Sequence, residues 1–236
     1  MDSNKIIQSL WVGNSLSKME QLCAKSYLHN GHDFHLYVYD EIKNVPHGVV
    51  LKNGNEIISE SKIFKDNRGG FASFSDFFRY TLLYKKGGWW VDMDSICLKY
   101  FDIKEDYCFS CENGSIVNNG FIKTPSNSEF LQDCLEQIHV IGFKNVMRGS
   151  FGPTLISNIL KNYDSDSFLK HSEYFCPVNW DEVYRLISIP TYVPKKESYA
   201  VHMWNEMWNV YYLNKDVSYH PKSFYELLKA KYGLNS

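Results

Sequence analysis

Two acids at the end of an apolar run carry the clearest chemistry in this chain: Trp89-Trp90-Val91-Asp92-Met93-Asp94. Side chains alternate along a strand, so Trp90, Asp92 and Asp94 are expected on one face, the carboxylates about 6–7 Å apart along the backbone. Two neighbouring anions repel unless a cation lies between or near them. Carboxylate oxygens suit hard cations such as Mg²⁺ or Mn²⁺, which usually also bind substrate phosphates. The pair therefore reads as a platform for a metal and a diphosphate. The plainer alternative is an ordinary acidic strand end.

The residues before it predict how the pair is positioned. Phe74, Phe77, Phe78, Thr81 and Leu82 recur at helical spacing on one side, with Asp76, Arg79 and Leu83 on another stripe. Ser73 stands three residues before Asp76, capping-box spacing that marks a helix start. On that reading Asp76 is a capping acid and Arg79 its i+3 partner. Gly87-Gly88 stops the helix and turns the chain into the strand.

The order Ser-Asp-x-x-Arg, Leu-Tyr, Gly-Gly, aromatic, Asp-x-Asp over residues 75–94 resembles the sugar-nucleotide signature of family 32 glycosyltransferases, the DXD sugar-binding proteins. The large clostridial glucosylating toxins carry a similar run. Two further segments extend the resemblance. Leu10-Trp11-Val12-Gly13 is similar to the family's Ile-Trp-x-Gly nucleotide-binding edge. Tyr199-Ala-Val-His-Met-Trp-Asn205, with Trp208 beyond, resembles the C-terminal segment of the α-1,4-galactosyl- and α-1,4-N-acetylglucosaminyltransferases. The resemblance implies a single GT-A (Rossmann-like) α/β domain over 1–236 with a mostly parallel mixed central sheet. Residues 1–100 would form the nucleotide-binding half and 101–236 the half completing the acceptor and metal sides. It implies that His202 joins Asp92 and Asp94 around Mn²⁺ (or Mg²⁺), that Asp76 and Arg79 hold sugar hydroxyls, and that the Trp208 indole lies near the diphosphate. Trp90 and Trp204 are expected at the substrate, and Asn119 in the sugar pocket.

Read in order, Lys5–Val12 predicts a first strand, 16–30 an amphipathic helix and Phe34–Asp40 a second strand, a parallel pair joined by a right-handed crossover. Ligands bind at the carboxyl ends of such strands, so a base could stack on Trp11; Trp11 as plain core is the equal alternative. Residues 41–70 read as a variable connection with a short helix near 57–66, and Arg68 as an exposed loop arginine within reach of a phosphate. Strands are expected at 107–112 and 116–123. Between them Asn118-Asn119-Gly120 matches the family's pocket segment, yet Asn-Gly is also the favoured two-residue hairpin turn. Helices are expected at 126–141 and from Pro153, with Gly152-Pro153 as a joint. Tyr174–Pro177 and Ile189–Val193 read as extended edges, 198–205 as a strand and 221–232 as a helix. Lys222, Lys229 and Lys231 on that last helix suggest contact with an anionic membrane surface, against a plain solvated face.

The 236 residues, 44% hydrophobic and 16% aromatic, suffice for one sizeable core. A formal net charge of −2 gives no electrostatic case for nucleic acid. No apolar run reaches membrane-spanning length, and the N-terminus lacks a signal pattern. The expected location is the cytoplasm, with peripheral contact at the inner face of a membrane. The six cysteines are scattered in apolar runs, as buried free thiols are, and Cys108-x-x-Cys111 lacks the context of a redox or zinc motif.

The family resemblance implies a retaining transferase, with Asp92, Asp94 and Asn119 expected to be catalytic. It would move a hexose (Gal, Glc, GalNAc or GlcNAc) from a UDP-sugar to a glycan or lipid-linked oligosaccharide, as in surface polysaccharide synthesis. Front-face attack assisted by the leaving phosphate is the expected route, with Glu112 and Asn119 the positions to replace in search of a nucleophile. Two alternatives remain at this stage. One is a haloacid-dehalogenase-type phosphatase with an Asp nucleophile, for which Asp164-Ser-Asp166 would be a poor second acid pair. The other is a nucleotide-sugar binding module without turnover.

Overall fold

The computed structural model describes residues 3–112, 116–165 and 167–234; Asp166 lies outside them. Among the described residues, nine strands and six α-helices follow one another in the order β1 (Ile6–Leu10), α1 (Lys18–His29), β2 (Asp33–Val38), β3 (Val50–Asn53), α2 (Ala72–Lys86), β4 (Gly88–Val91), β5 (Ser95–Cys97), β6 (Cys108–Glu112), β7 (Ile116–Thr124), α3 (Glu129–Ile141), α4 (Pro153–Leu160), β8 (Leu169–Lys170), β9 (Ala200–His202), α5 (Asn205–Val210) and α6 (Phe224–Lys231). Seven strands form one sheet in the order β3-β2-β1-β4-β7-β6-β8. The β3, β2, β1 and β4 pairings are parallel, those of β7 with β4 and β6 antiparallel, and β8 returns parallel to β6. The expected α/β architecture with a mostly parallel mixed sheet is the one observed.

Alternation along the strands divides the core between the two sheet faces. Leu10, Tyr37, Trp90, Phe109 and Ile122 face α2, α3 and α4, while Ile7, Leu36, Trp89, Val91 and Phe121 face α1. A third cluster packs the short β5–β9 sheet against α1 and α6.

Several local expectations change. The helix at 72–86 begins after Phe71 with no side-chain cap, so Ser73 and Asp76 form no capping box. Both stripes of α2 are buried, because its Asp76–Arg79 side turns toward the sheet's carboxyl edge instead of solvent. Asn119-Gly120 is no hairpin turn; it lies in the middle of the nine-residue β7. β3, an edge strand with a half-exposed face, replaces part of the expected connection, and the helix near 57–66 is two 3₁₀ turns. Residues 189–193 form no strand, and Ser172–Tyr174 is a 3₁₀ turn. On α6, Lys229 is buried against Glu226 and the Val217 carbonyl, which leaves no continuous basic face. All six cysteines are free and buried, and burial raises the Cys108 and Cys111 thiols above their ordinary value. No helix among the described residues is long and apolar enough to cross a membrane.

Candidate active site

Parallel pairing brings the carboxyl ends of β1 and β4 to one edge of the sheet. Gly87 and Gly88, at φ +67° and +88°, make the turn that sets β4 there. A Cβ on Gly87 would come within 2.6 Å of the Ser126 amide nitrogen, so that turn admits no side chain. The strand ends at Val91, and the two acids follow it. The Asp92 amide donates to the Gly120 carbonyl of β7, fixing the first acid beside Asn118–Gly120. Asp94 sits in the turn into β5, whose register pairs Ser95 with His202. That pairing, closed by Met203 N–H donating to the Asp94 carbonyl, brings together residues more than a hundred positions apart.

The outcome is a group of three side chains. Asp92, Asp94 and His202 each offer a ligand atom, all within 4.8 Å of one another. His202 Nε2 lies 3.2 Å from Asp94 Oδ1, and the Asn205 amide donates to Asp94 Oδ2 at 2.7 Å. Burial alone would raise the Asp94 carboxyl, but the His202 imidazole and the Asn205 amide outweigh it and hold it at about 2. Burial likewise opposes a charge on His202, but the Asp94 carboxylate overcomes it and lifts the imidazole well above its ordinary value. The Trp204 ring stacks on His202 with centroids 3.9 Å apart, from a left-handed backbone at φ +57°.

A hard divalent cation fits this group. With bonds of about 2.1 Å, neighbouring ligands of an octahedral ion lie about 3 Å apart, close to the His202–Asp94 separation. Two carboxylates with an imidazole form an acceptable donor set for Mn²⁺. The buried Asn205 Oδ1 has no hydrogen-bond partner and belongs to the same cavity wall, an oxygen still in want of a positive neighbour.

Beside this group runs a buried polar network centred on Arg79. Its guanidinium lies 3.1 Å from Asp92 Oδ1 and 3.2 Å from Asp76 Oδ1, and it also donates to the Asn119 carbonyl. Asn119 Nδ2 donates to Asp76 Oδ1 at 2.8 Å, and Trp90 Nε1 to Asp92 Oδ1 at 2.9 Å. Burial raises the Asp76 carboxyl to about 6 against the pull of Arg79.

These residues surround a cavity of about 730 Å³. Trp11, Arg79, Trp90, Asn119 and Trp204 line it together with Asp92, Asp94 and His202. Two expected residues do not. Asp76 is buried outside the cavity wall and orients the Arg79 guanidinium from there. Trp208 is fully buried among Tyr219 and Tyr225, and its N–H is spent on the Met203 carbonyl, so it has no route to a diphosphate here. Glu112 is a wall residue that accepts from Asn118 Nδ2 at 2.8 Å. Sequence reasoning missed Arg148, Trp180, Asn205 and Glu206, which come from loops and from the short α5. Arg68, read as a loop arginine, faces Glu206 at 4.0 Å.

Comparison with known proteins agrees with this geometry. Residues 17–110 match the family model described as "Glycosyltransferase sugar-binding region containing DXD motif", and residues 123–235 match "Alpha 1,4-glycosyltransferase conserved region". Lactosylceramide 4-alpha-galactosyltransferase of Mus musculus is 29% identical over 148 residues, which cover 56% of this chain and 40% of the mouse protein. The Homo sapiens protein of the same name is 26% identical over 147 residues, 56% of this chain and 41% of its own length. This chain thus spans less than half the length of these curated relatives. Among solved structures, the ligand-free glycosyltransferase domain of the YGT toxin superposes with a TM-score of 0.56 at 9% identity, covering 98% of this chain and 86% of that domain. PaToxG glycosyltransferase gives 0.52 at 16% identity, covering 67% and 68%. Both are likenesses of fold, and both are GT-A proteins. Both matched families are glycosyltransferases, which sets the phosphatase alternative aside. With its DXD region and its α-1,4-transferase region both matched, the chain belongs to the family 32 glycosyltransferases.

Proposed function

We propose that this protein transfers a hexose, galactose in the first instance, from a UDP-sugar to a glycan hydroxyl with retention of configuration. The convergence of Asp92, Asp94 and His202 from two distant segments onto one wall of the cavity carries the reading. The curated relatives named above are galactosyltransferases, and a UDP-bound domain of the YGT toxin has this fold (TM-score 0.53, 10% identity, 76% of this chain and 81% of that domain).

Asp92, Asp94 and His202 would hold a divalent ion. When bound, that ion supplies positive charge against the charge growing on the departing diphosphate. Arg79, fixed by Asp76 and Asp92, presents a rigid donor edge to sugar oxygens, and the Asn119 amide stands beside it. Trp11, at the end of β1, offers an indole face for the base. No carboxylate is assigned as a nucleophile; the acceptor proton leaves with the UDP phosphate as the acceptor oxygen takes its place on the same face. A cytoplasmic setting, with a lipid-linked oligosaccharide acceptor at the inner membrane face and a role in surface polysaccharide synthesis, belongs to the same proposal.

Thermal-shift titration with UDP-, GDP- and CMP-sugars, with and without Mn²⁺, tests it, because a ligand bound to the native state raises apparent stability. UDP-sugars with Mn²⁺ should give the largest shift, and Asp94→Ala or His202→Ala should weaken UDP binding by about 100-fold or more. Equal shifts with and without metal would refute the metal role. UDP binding without UDP release across many acceptors would mark a binding module instead.

A further inference from the structure

Five of the six tryptophans spend their indole N–H within the protein. Trp11 donates to the Ser15 carbonyl, Trp89 to Asn4, Trp90 to Asp92, Trp204 to the Val178 carbonyl and Trp208 to the Met203 carbonyl. Trp180 is the exception among the described residues: its N–H has no partner, and the residue is 42% exposed. It nonetheless lines the same cavity as Asp94 and His202. Its open face and the donor unused within the protein are both available to a ligand entering the cavity.

The surroundings fix the backbone that carries this indole. Trp204 stacks on His202 and donates to the Val178 carbonyl, two residues before Trp180. Asn179 caps the following 3₁₀ turn in a reciprocal box with Glu182, which fixes Trp180 at its first position. Trp180 thus shares the cavity wall with Trp204 and the metal-ligand group. Residues of α5 share that wall and are of mixed character. Asn209 offers an amide, Met207 an apolar contact, and Glu206 is paired with Arg148 at 2.8 Å.

From this placement we infer that Trp180 is the platform of the acceptor subsite, stacking on a pyranose ring of a glycan while its N–H donates to a ring hydroxyl. The inference rests on the donor reading above and extends it to the second substrate. A sugar ring has an apolar C–H face and a polar rim, which an exposed aromatic face with a donor at its edge complements.

The test uses the full chain saturated with UDP and Mn²⁺, titrated calorimetrically with lactose, cellobiose and maltose as probes. UDP affinity is measured in parallel for wild type, Trp180→Ala and Trp180→Phe. At least one disaccharide should bind wild type, bind Trp180→Ala about tenfold more weakly, and recover most of its affinity in Trp180→Phe, with UDP affinity equal in all three. Sugar affinity unchanged in Trp180→Ala, or no disaccharide binding at all, would overturn the assignment. So would a parallel fall in UDP affinity, which would give the indole to the nucleotide base. The two readings fail separately: absence of UDP binding to wild type strikes the donor reading, whereas sugar binding indifferent to Trp180 strikes this one.

Discussion

Arg79 is only 4% exposed and is bonded to two of the acids around it, Asp76 and Asp92. Truncating one member of a buried ionic cluster strands its partners, so Arg79→Ala should lower stability by about 3–5 kcal/mol in urea denaturation. Asp76 makes a subtler prediction. Its carboxyl rises from 3.8 to about 6 on folding because burial opposes the charge more than Arg79 favours it. The native state therefore holds this proton more tightly than the unfolded chain does. That share of stability is complete below about pH 4 and is lost as pH rises through about 6. Asp76→Asn cannot ionise, so its melting temperature should gain on wild type across this window and run parallel above it. Equal slopes in metal-free melts from pH 4 to 7 would contradict the assignment.

At the scale of elements, β7 shows why a glycine stands in a strand interior. Gly120 has no positive φ to accommodate; the constraint is room. A Cβ there would lie 2.8 Å from Asn118 Oδ1, 3.0 Å from Asp92 Oδ2 and 3.3 Å from His202 Cε1. Gly120→Ala should keep the sheet, with far-UV circular dichroism unchanged, while Mn²⁺-dependent UDP affinity falls at least about tenfold. The same strand marks the limit of what the sequence discloses. The periodicity of α2, the Gly87-Gly88 turn and the apolar run before Asp92 are local signals, and each found its element. Asn119-Gly120 is ambiguous locally, because the turn propensity of Asn-Gly is overridden once β7 is held between β4 and β6. β3 escaped notice because an edge strand half open to solvent has no clear apolar alternation. His202 was found by its motif, but the motif also drew in Trp208, and spacing does not reveal which of two tryptophans α5 turns inward. Arg148 and Trp180 carry no pattern at all; their place comes from tertiary packing of irregular segments.

For the molecule as a whole, the candidate metal group joins two separately built parts. Asp92 leaves the large sheet, while Asp94 and His202 belong to the small β5–β9 pair, which three registered residue pairs hold together. A bound cation should tie these parts. Mn²⁺ should slow amide exchange across β9 and α5 more than in β1 or β2, and His202→Ala should abolish that difference. Trp204 completes this junction in a left-handed conformation that ordinarily suits glycine, at a strain of about 1–3 kcal/mol. Relief is one substitution away, and it would free the imidazole from its aromatic lid. Because that change also forfeits the stack on His202 and the bond to the Val178 carbonyl, worth more than the strain, Trp204→Gly should melt below wild type and bind UDP with Mn²⁺ more weakly.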